Sequence, residues 1–404
     1  MPERYKVLLS AYSCRPGYGS ESGIGWNMAL EVAKSHDVTV LTRLSNRPLI
    51  QQGLDSLAPG TPVPRFAFFE HSPLALLARR WFPGLSWWCY QSWQRRARPE
   101  VARLQRQFRF DLLHHVTWTS YRSTPAVWGQ GVPTVWGPVA GAAATPWELL
   151  PWRWPRELLH ETLRNLSNRR ATARLASAAD FCSAVLVSTE ETRQAFAHSG
   201  VATWLVPENG IHQTASPQRH ATRPRLRLLF AGRLRFYKGV HLALQALKTA
   251  GVGAELAVFG DGPLRRQMQL LARQLGLGSQ VQFHGWVPRD TLLKLYAEFD
   301  VFLFPSLHDG VCQALLEAMA CGLPVICLNC GGPGQVVAEG CGFKIPLSRL
   351  EEMVGGLAQA IACYDQHREL VAVHGLNAWR HAMQQYRWAR LGEQIHAVYQ
   401  HVLG

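Results

Sequence analysis

The stretch from Phe304 to Val337, FPSLHDGVCQALLEAMACGLPVICLNCGGPGQVV, constrains the fold more than any other part of this chain. It reads as strand, loop, helix, strand and then a Gly-rich loop. Two apolar strands joined by one helix can pair only in parallel, through a crossover. The loop before the helix carries an acid, Asp309, and the helix carries another, Glu317. A helix N-terminus bordered by glycines attracts anions through its free backbone amides. A lone Glu among Leu, Ala and Met would cost several kcal/mol if buried without a partner, so Glu317 is expected to have one.

The same alternation runs through the rest of the chain. YKVLLSAY at 5–12 reads as a buried strand, 17–25 as a Gly/Ser loop, Trp26–Lys34 as a helix and DVTVLT at 37–42 as a second strand. RFAFFEH, FDLLHHVTW, VPTVWGPV and SAVLVST continue the series. A polar linker without hydrophobic period follows at about 212–224, and a second strand–helix series begins at Leu226. Length and pattern predict an α/β protein of two doubly wound domains, with ligands at the carboxyl ends of the strands. Apolar residues at helical spacing, Trp388, Leu391, Ile395, Val398 and Tyr399, mark a terminal helix.

Five segments carry a resemblance: LLFAGRLRFYKGV (228–240), VPENGI (206–211), VFGDGP (258–263), VQFHGWVPRDTLLKLYAEFDVFLFPS (281–306) and the 304–337 stretch. Together they resemble the donor half of the retaining, GT-B-type glycosyltransferases of family 4. The resemblance implies two Rossmann-like domains facing across a deep cleft. It sets an acceptor-binding domain at 1–211 with the final helix from about 385 to 404, and a donor-binding domain at 212–384. It implies transfer of a hexose from a nucleotide diphosphate sugar, UDP by default and GDP as the rival, to a hydroxyl of a glycan or lipid-linked acceptor.

By the same resemblance Arg233 and Lys238 hold the donor diphosphate, and Glu317 takes the ribose diol. Asp309 stands where the family has Glu, one methylene shorter, and would touch the sugar or its phosphate. Amides near Gly310, Val311 and Cys312 are expected to meet the diphosphate, and the backbone around His284, Gly285 and Trp286 the base. Gly19 and Ser20 align with the small-residue pair of the first domain, and Glu21 is a further acceptor candidate. His114 and His115 end the strand FDLLHH, where the family has a His beside the reacting sugar. Alternation points one ring into the sheet packing and the other to the cleft, and His115 is taken as the cleft residue. The chain has no Asp-x-Asp, so no metal or other cofactor is expected and protein cations are left to neutralise the leaving group.

The charge of +14 is uneven. Eight Arg and a single acid lie between Arg79 and Arg109, among Trp81, Phe82, Trp87, Trp88, Tyr90 and Trp93, and a second Trp/Arg-rich stretch spans 146–170. Such segments suit an anionic membrane surface; a solvated face is the plain alternative, and nucleic acid is disfavoured. No window offers about 18 consecutive apolar residues and no signal peptide is evident, so a cytoplasmic protein, peripheral on the inner membrane face, is expected. Nine scattered Cys read as structural thiols, with metal or redox chemistry at Cys327-x-x-Cys330 as the alternative. The resemblance leaves open a soluble disaccharide synthase, a nucleotide-sugar epimerase and a catalytically silent binding module.

Overall fold

The computed structural model describes residues 4–81, 85–212, 214, 217 and 224–404. Contacts divide the chain into two compact units. The first comprises 1–142, 168–209 and 388–404, and the second 143–167 and 210–387.

The first unit begins β1 (Lys6–Ala11), α1 (Ser20–Ala33), β2 (Asp37–Arg43), α2 (Arg47–Asp55), β3 (Arg65–Phe69), α3 (Pro73–Trp81), α4 (Ser86–Phe108), β4 (Leu112–Thr117) and β5 (Thr134–Val139). After α5 (Pro155–Arg174) it continues with β6 (Ala184–Val187), α6 (Glu190–Ala195) and β7 (Ala202–Leu205). The strands form one parallel sheet, β3-β2-β1-β4-β5-β6-β7. Burial on both faces explains the near-continuous apolar runs of β1 and β6.

The second unit runs β8 (Arg227–Ala231), α7 (Val240–Ala250), β9 (Glu255–Phe259), α8 (Arg265–Gln274), β10 (Val281–Gly285), α9 (Arg289–Leu295), β11 (Val301–Phe304) and α10 (Gln313–Ala320). Then come β12 (Val325–Asn329), α11 (Gly331–Val336), β13 (Gly342–Pro346), α12 (Leu350–Gln366) and α13 (Arg368–Gln385). Its sheet is parallel in the order β10-β9-β8-β11-β12-β13. Strand order reverses between β8 and β11, so the loops after these two strands open at a topological switch point. The last helix, α14 (Trp388–Leu403), buries Trp388, Leu391, Ile395, Val398 and Tyr399 in the core of the first unit.

Three sequence readings are corrected. The Gly/Ser loop at 17–25 is helix from Ser20 onward. Its glycines serve close packing: a Cβ on Gly23 would stand 2.0 Å from the Tyr18 carbonyl oxygen, and one on Gly25 2.1 Å from that of Ser13. The Gly-rich loop after β12 is the short helix α11, with Gly331 and Gly332 pressed on the loop before α10. Residues 143–167, assigned by sequence to the first domain, pack in the second unit, where Leu149 and Trp154 join its core. The linker at 212–224 lies for the most part outside the described residues, as do Phe82 and its two following neighbours.

Candidate donor site

Lys238 ends the turn that follows β8, and Asp309 lies in the loop that follows β11. One glycine lets these two loops touch. Gly239 has φ +74, and a Cβ there would sit 1.8 Å from the Pro305 carbonyl oxygen. The approach brings the Lys238 ammonium onto the Asp309 carboxylate as an ion pair. Ser306 Oγ donates to the same Asp309 oxygen at 3.2 Å. The Phe304 and Tyr237 rings lie 5.1 and 5.5 Å from Lys238 Nζ. Burial by itself disfavours the charged lysine; the Asp309 carboxylate, helped by Cys312 and Tyr237, overrides it and holds the pKa above the ordinary lysine value. The site thus keeps a buried cation whose present partner is one short carboxylate.

Arg233 stands on the same loop. It is exposed, and its guanidinium makes no ion pair or hydrogen bond among the described residues. Forked donors of this kind suit phosphate oxygens. Below the loop, Gly332 N donates to the Asp309 carbonyl at 2.9 Å. A Cβ on Gly332 would come within 2.0 Å of the Gly310 oxygen and 2.7 Å of the Val311 nitrogen. These contacts fix the backbone of Gly310 and Val311 just ahead of Cys312, which caps the N-terminus of α10. The arrangement can hold an anion by helix amides and side-chain cations together.

Glu317 is 4% exposed and is indeed partnered. Arg289 Nε donates to its Oε1 at 2.6 Å and Gln313 Nε2 to the same atom at 2.9 Å. The second oxygen accepts no hydrogen bond among the described residues. Gln313 lies one helical turn away, a pairing that the sequence could have suggested. Arg289 comes from α9, and nothing local announces it. Gly285, φ +80, abuts Arg265, and its carbonyl accepts from Gly260 N at 2.7 Å. The His284 ring stacks on Phe259 at 4.4 Å, while Trp286 is exposed.

The remaining residues singled out by sequence belong to the first unit. Gly19 caps α1, and Ser20 begins it; the Ser20 side chain lies outside the described residues. Glu21 Oε1 accepts from Thr119 N and Oγ1 at 3.2 and 2.7 Å. Glu21 as a whole is half-buried, but its Oε2 is shut from solvent without a partner among the described residues. Burial raises the Glu21 pKa, against the pull of the Thr119 bonds.

The expectation that His115 faces an opening is corrected. Both histidines are fully buried. His115 bonds the Tyr90 hydroxyl at 3.0 Å and Ser10 Oγ at 3.1 Å. His114 Nε2 donates to the Gly137 carbonyl at 2.7 Å, and its Nδ1 bonds the Tyr399 hydroxyl at 2.6 Å. They point to opposite faces of β4, as alternation requires, but α4 covers one face and α14 the other. Burial lowers their pKa values to about 4 for His114 and about 3 for His115.

All nine cysteines are free thiols. Cys327 and Cys330 direct theirs at carbonyl oxygens of Pro333 and Leu307. No group of three or more His, Cys, Asp or Glu placed to hold a metal ion occurs among the described residues.

Residues 213–372 match the family described as "Glycosyl transferases group 1". The chain is 29% identical over 43% of its length to the uncharacterized glycosyltransferase MJ1607 of Methanocaldococcus jannaschii, covering 44% of that protein. It is 27% identical over 54% of its length to a GDP-mannose-dependent alpha-(1-6)-phosphatidylinositol dimannoside mannosyltransferase of Mycobacterium tuberculosis, covering 64% of it. The chain therefore spans about half the length of these curated relatives. The fold matches the crystal structure of Anabaena HepE in complex with UDP and glucose, with TM-score 0.62 and 18% identity over 98% of this chain and 100% of that one. Two parallel α/β units of this kind make a GT-B-type fold, and the match to the glycosyl transferases group 1 family covers residues 213–372, within the second unit.

Proposed function

We propose that the protein is a retaining glycosyltransferase. It moves a hexose from a nucleoside diphosphate sugar to a hydroxyl of a glycan or lipid-linked acceptor, in polysaccharide or glycolipid assembly. The observation that carries this reading is the buried Lys238 beside Asp309 at the switch point of the second unit. A diphosphate entering there replaces the carboxylate as partner of the ammonium, and Arg233 closes on its outer oxygens. Charge that builds on the leaving group is then met by two cations and the α10 amides, so no metal is required. Asp309, released from Lys238, is free to accept from a sugar hydroxyl. Glu317, held rigid by Arg289 and Gln313, offers its second oxygen to the ribose.

The base is UDP by default. HepE, solved with UDP and glucose, favours it, while the mycobacterial relative named for GDP-mannose keeps GDP as the rival. The reading is tested by incubating the protein with UDP- and GDP-sugars in EDTA. Release of nucleoside diphosphate and the anomeric configuration of the product, read by NMR, are then followed. Retention in EDTA is expected; inversion, or activity abolished by EDTA, would overturn the mechanism.

A membrane-proximal acceptor is part of the proposal. In the first unit α3 and α4 bury Tyr90 and Trp93 but leave Leu74, Leu77, Trp81, Trp87 and Trp88 exposed. Arg95, Arg96 and Arg98 are exposed on α4. In the second unit α5 exposes Leu159, Leu163 and Leu166. No helix of the described residues is long and apolar enough to cross a membrane, so attachment would be peripheral. Each cation near an anionic surface is worth about 1 kcal/mol. Arg95, Arg96 and Arg98 changed together to Gln should weaken binding to phosphatidylserine vesicles roughly tenfold or more, and unchanged flotation would return these helices to an ordinary solvated face.

A further inference from the structure

Two buried carboxylates on α5 have no place in the donor chemistry described above. Glu157 and Glu161 are one helical turn apart and 2% and 0% exposed. Residues four apart share a helix face, and here each reaches a different site loop. Glu157 Oε2 accepts from Phe236 N at 3.0 Å, and its Oε1 meets Arg235 Nη2 at 3.3 Å. Both partners sit on the turn that ends in Lys238. Glu161 Oε2 accepts from His308 Nε2 at 2.8 Å and from Thr145 Oγ1 at 2.7 Å; its Oε1 lies 3.1 Å from His160 Nδ1. His308 immediately precedes Asp309.

The two loops are also laced to each other. The His308 ring stacks on Tyr237, with centroids 4.4 Å apart and planes 15° from parallel. Leu307 N and Ser306 Oγ both donate to the Tyr237 carbonyl, at 2.7 and 3.1 Å. Tyr237 is the neighbour of Lys238, as His308 is of Asp309. The stacked rings therefore fix the spacing of the two charged residues next to them, and Glu161 fixes the rings.

We propose that Glu161 is a positioning residue for the donor site: through His308 and Tyr237 it sets the separation of Lys238 and Asp309 that a diphosphate must enter. Glu157 does the same for the turn ahead of Lys238. This rests on the donor-site reading above. It gives segment 143–167 a task in the second unit that an acceptor-domain helix would not have.

The test is a double-mutant cycle read as the ratio of UDP to UMP affinity, measured by calorimetry without metal. The ratio isolates the outer phosphate, whereas general damage to the unit lowers both affinities together. Lys238→Ala should collapse it. Glu161→Ala should lower it roughly ten- to a hundredfold, the scale of a misplacement near 1 Å, with UMP affinity little changed. The double variant should be no worse than Lys238→Ala alone, because the two residues act as one unit. Glu161→Gln, which keeps an acceptor for His308 and Thr145, should retain most of the ratio. Equal losses in UDP and UMP affinity, or additive effects, would overturn the positioning role. If Glu161→Ala does not fold, Tyr237→Leu removes the ring stack and must lower the same ratio. A ratio untouched by Lys238→Ala itself would instead refute the donor-site reading.

Discussion

Polar residues at the ends of two central strands meet opposite fates. In the second unit, the charges that follow β8 and β11 stand past the last sheet residue, in loops shaped by Gly239 and by the close approach of Gly332. Lys238 and Asp309 meet there, and Arg233 faces solvent. In the first unit, His114 and His115 lie inside β4, paired with the neighbouring strands β1 and β5. Helices cover both faces of that strand, and each ring spends its nitrogens on interior hydroxyls and a carbonyl. The difference is one of position. A polar side chain within a parallel strand is a core element whose hydrogen bonds must close internally, while one a few residues beyond the strand can be spent on a ligand.

The largest expected effect lies on the ligand side of this contrast. Lys238→Ala and Arg233→Ala should each lower turnover about a hundredfold, the loss of one charge-stabilising donor (~2.7–4 kcal/mol). Near-wild-type turnover in both would erase the distinction. On the core side, His115→Ala strands the Tyr90 and Ser10 hydroxyls and should cost about 1–3 kcal/mol of stability. Thermal melting should show it, with kcat of the folded fraction little changed; lost kcat at an unchanged Tm would restore His115 to the chemistry.

Acid offers a second probe of the same pair. The folded values, about 4 and about 3, lie below the ordinary histidine value near 6.5. Below pH 6.5 the unfolded chain therefore binds more protons than the folded one, and stability falls as the pH drops toward the folded values. Above pH 6.5 these rings should contribute no slope. A stability curve flat between pH 6.5 and 4 would contradict their neutral burial. The smallest effect is expected of Asp309→Glu. The pairing with Lys238 survives a longer arm, so nucleotide affinity should hold within a few-fold, and any change should fall on the choice of sugar.

Much of this was legible in the sequence. The second strand–helix series and the need for a partner at Glu317 both followed from local pattern. Helix α14 was visible in its apolar spacing. What escaped was long-range. Arg289 meets Glu317 across 28 residues of chain, and no periodicity encodes that contact. The start of α1 was hidden because glycine reads as a loop former, while Gly23 and Gly25 are there for close backbone approach. The allegiance of 143–167 depends on Glu157 and Glu161 finding Phe236 and His308, 79 and 147 residues away. The burial of β4's histidines depends on α4 and α14 closing over both faces.

The loops after β8 and β11 are proposed to form a metal-free nucleoside diphosphate site. The most direct measurement is a calorimetric titration of the protein, in EDTA, with UDP, GDP and ADP, repeated on Lys238→Ala. Saturable binding of one of the three is expected, with UDP first in line, and its loss in the variant. Binding of none, or binding that Lys238→Ala leaves intact, would contradict the proposed site.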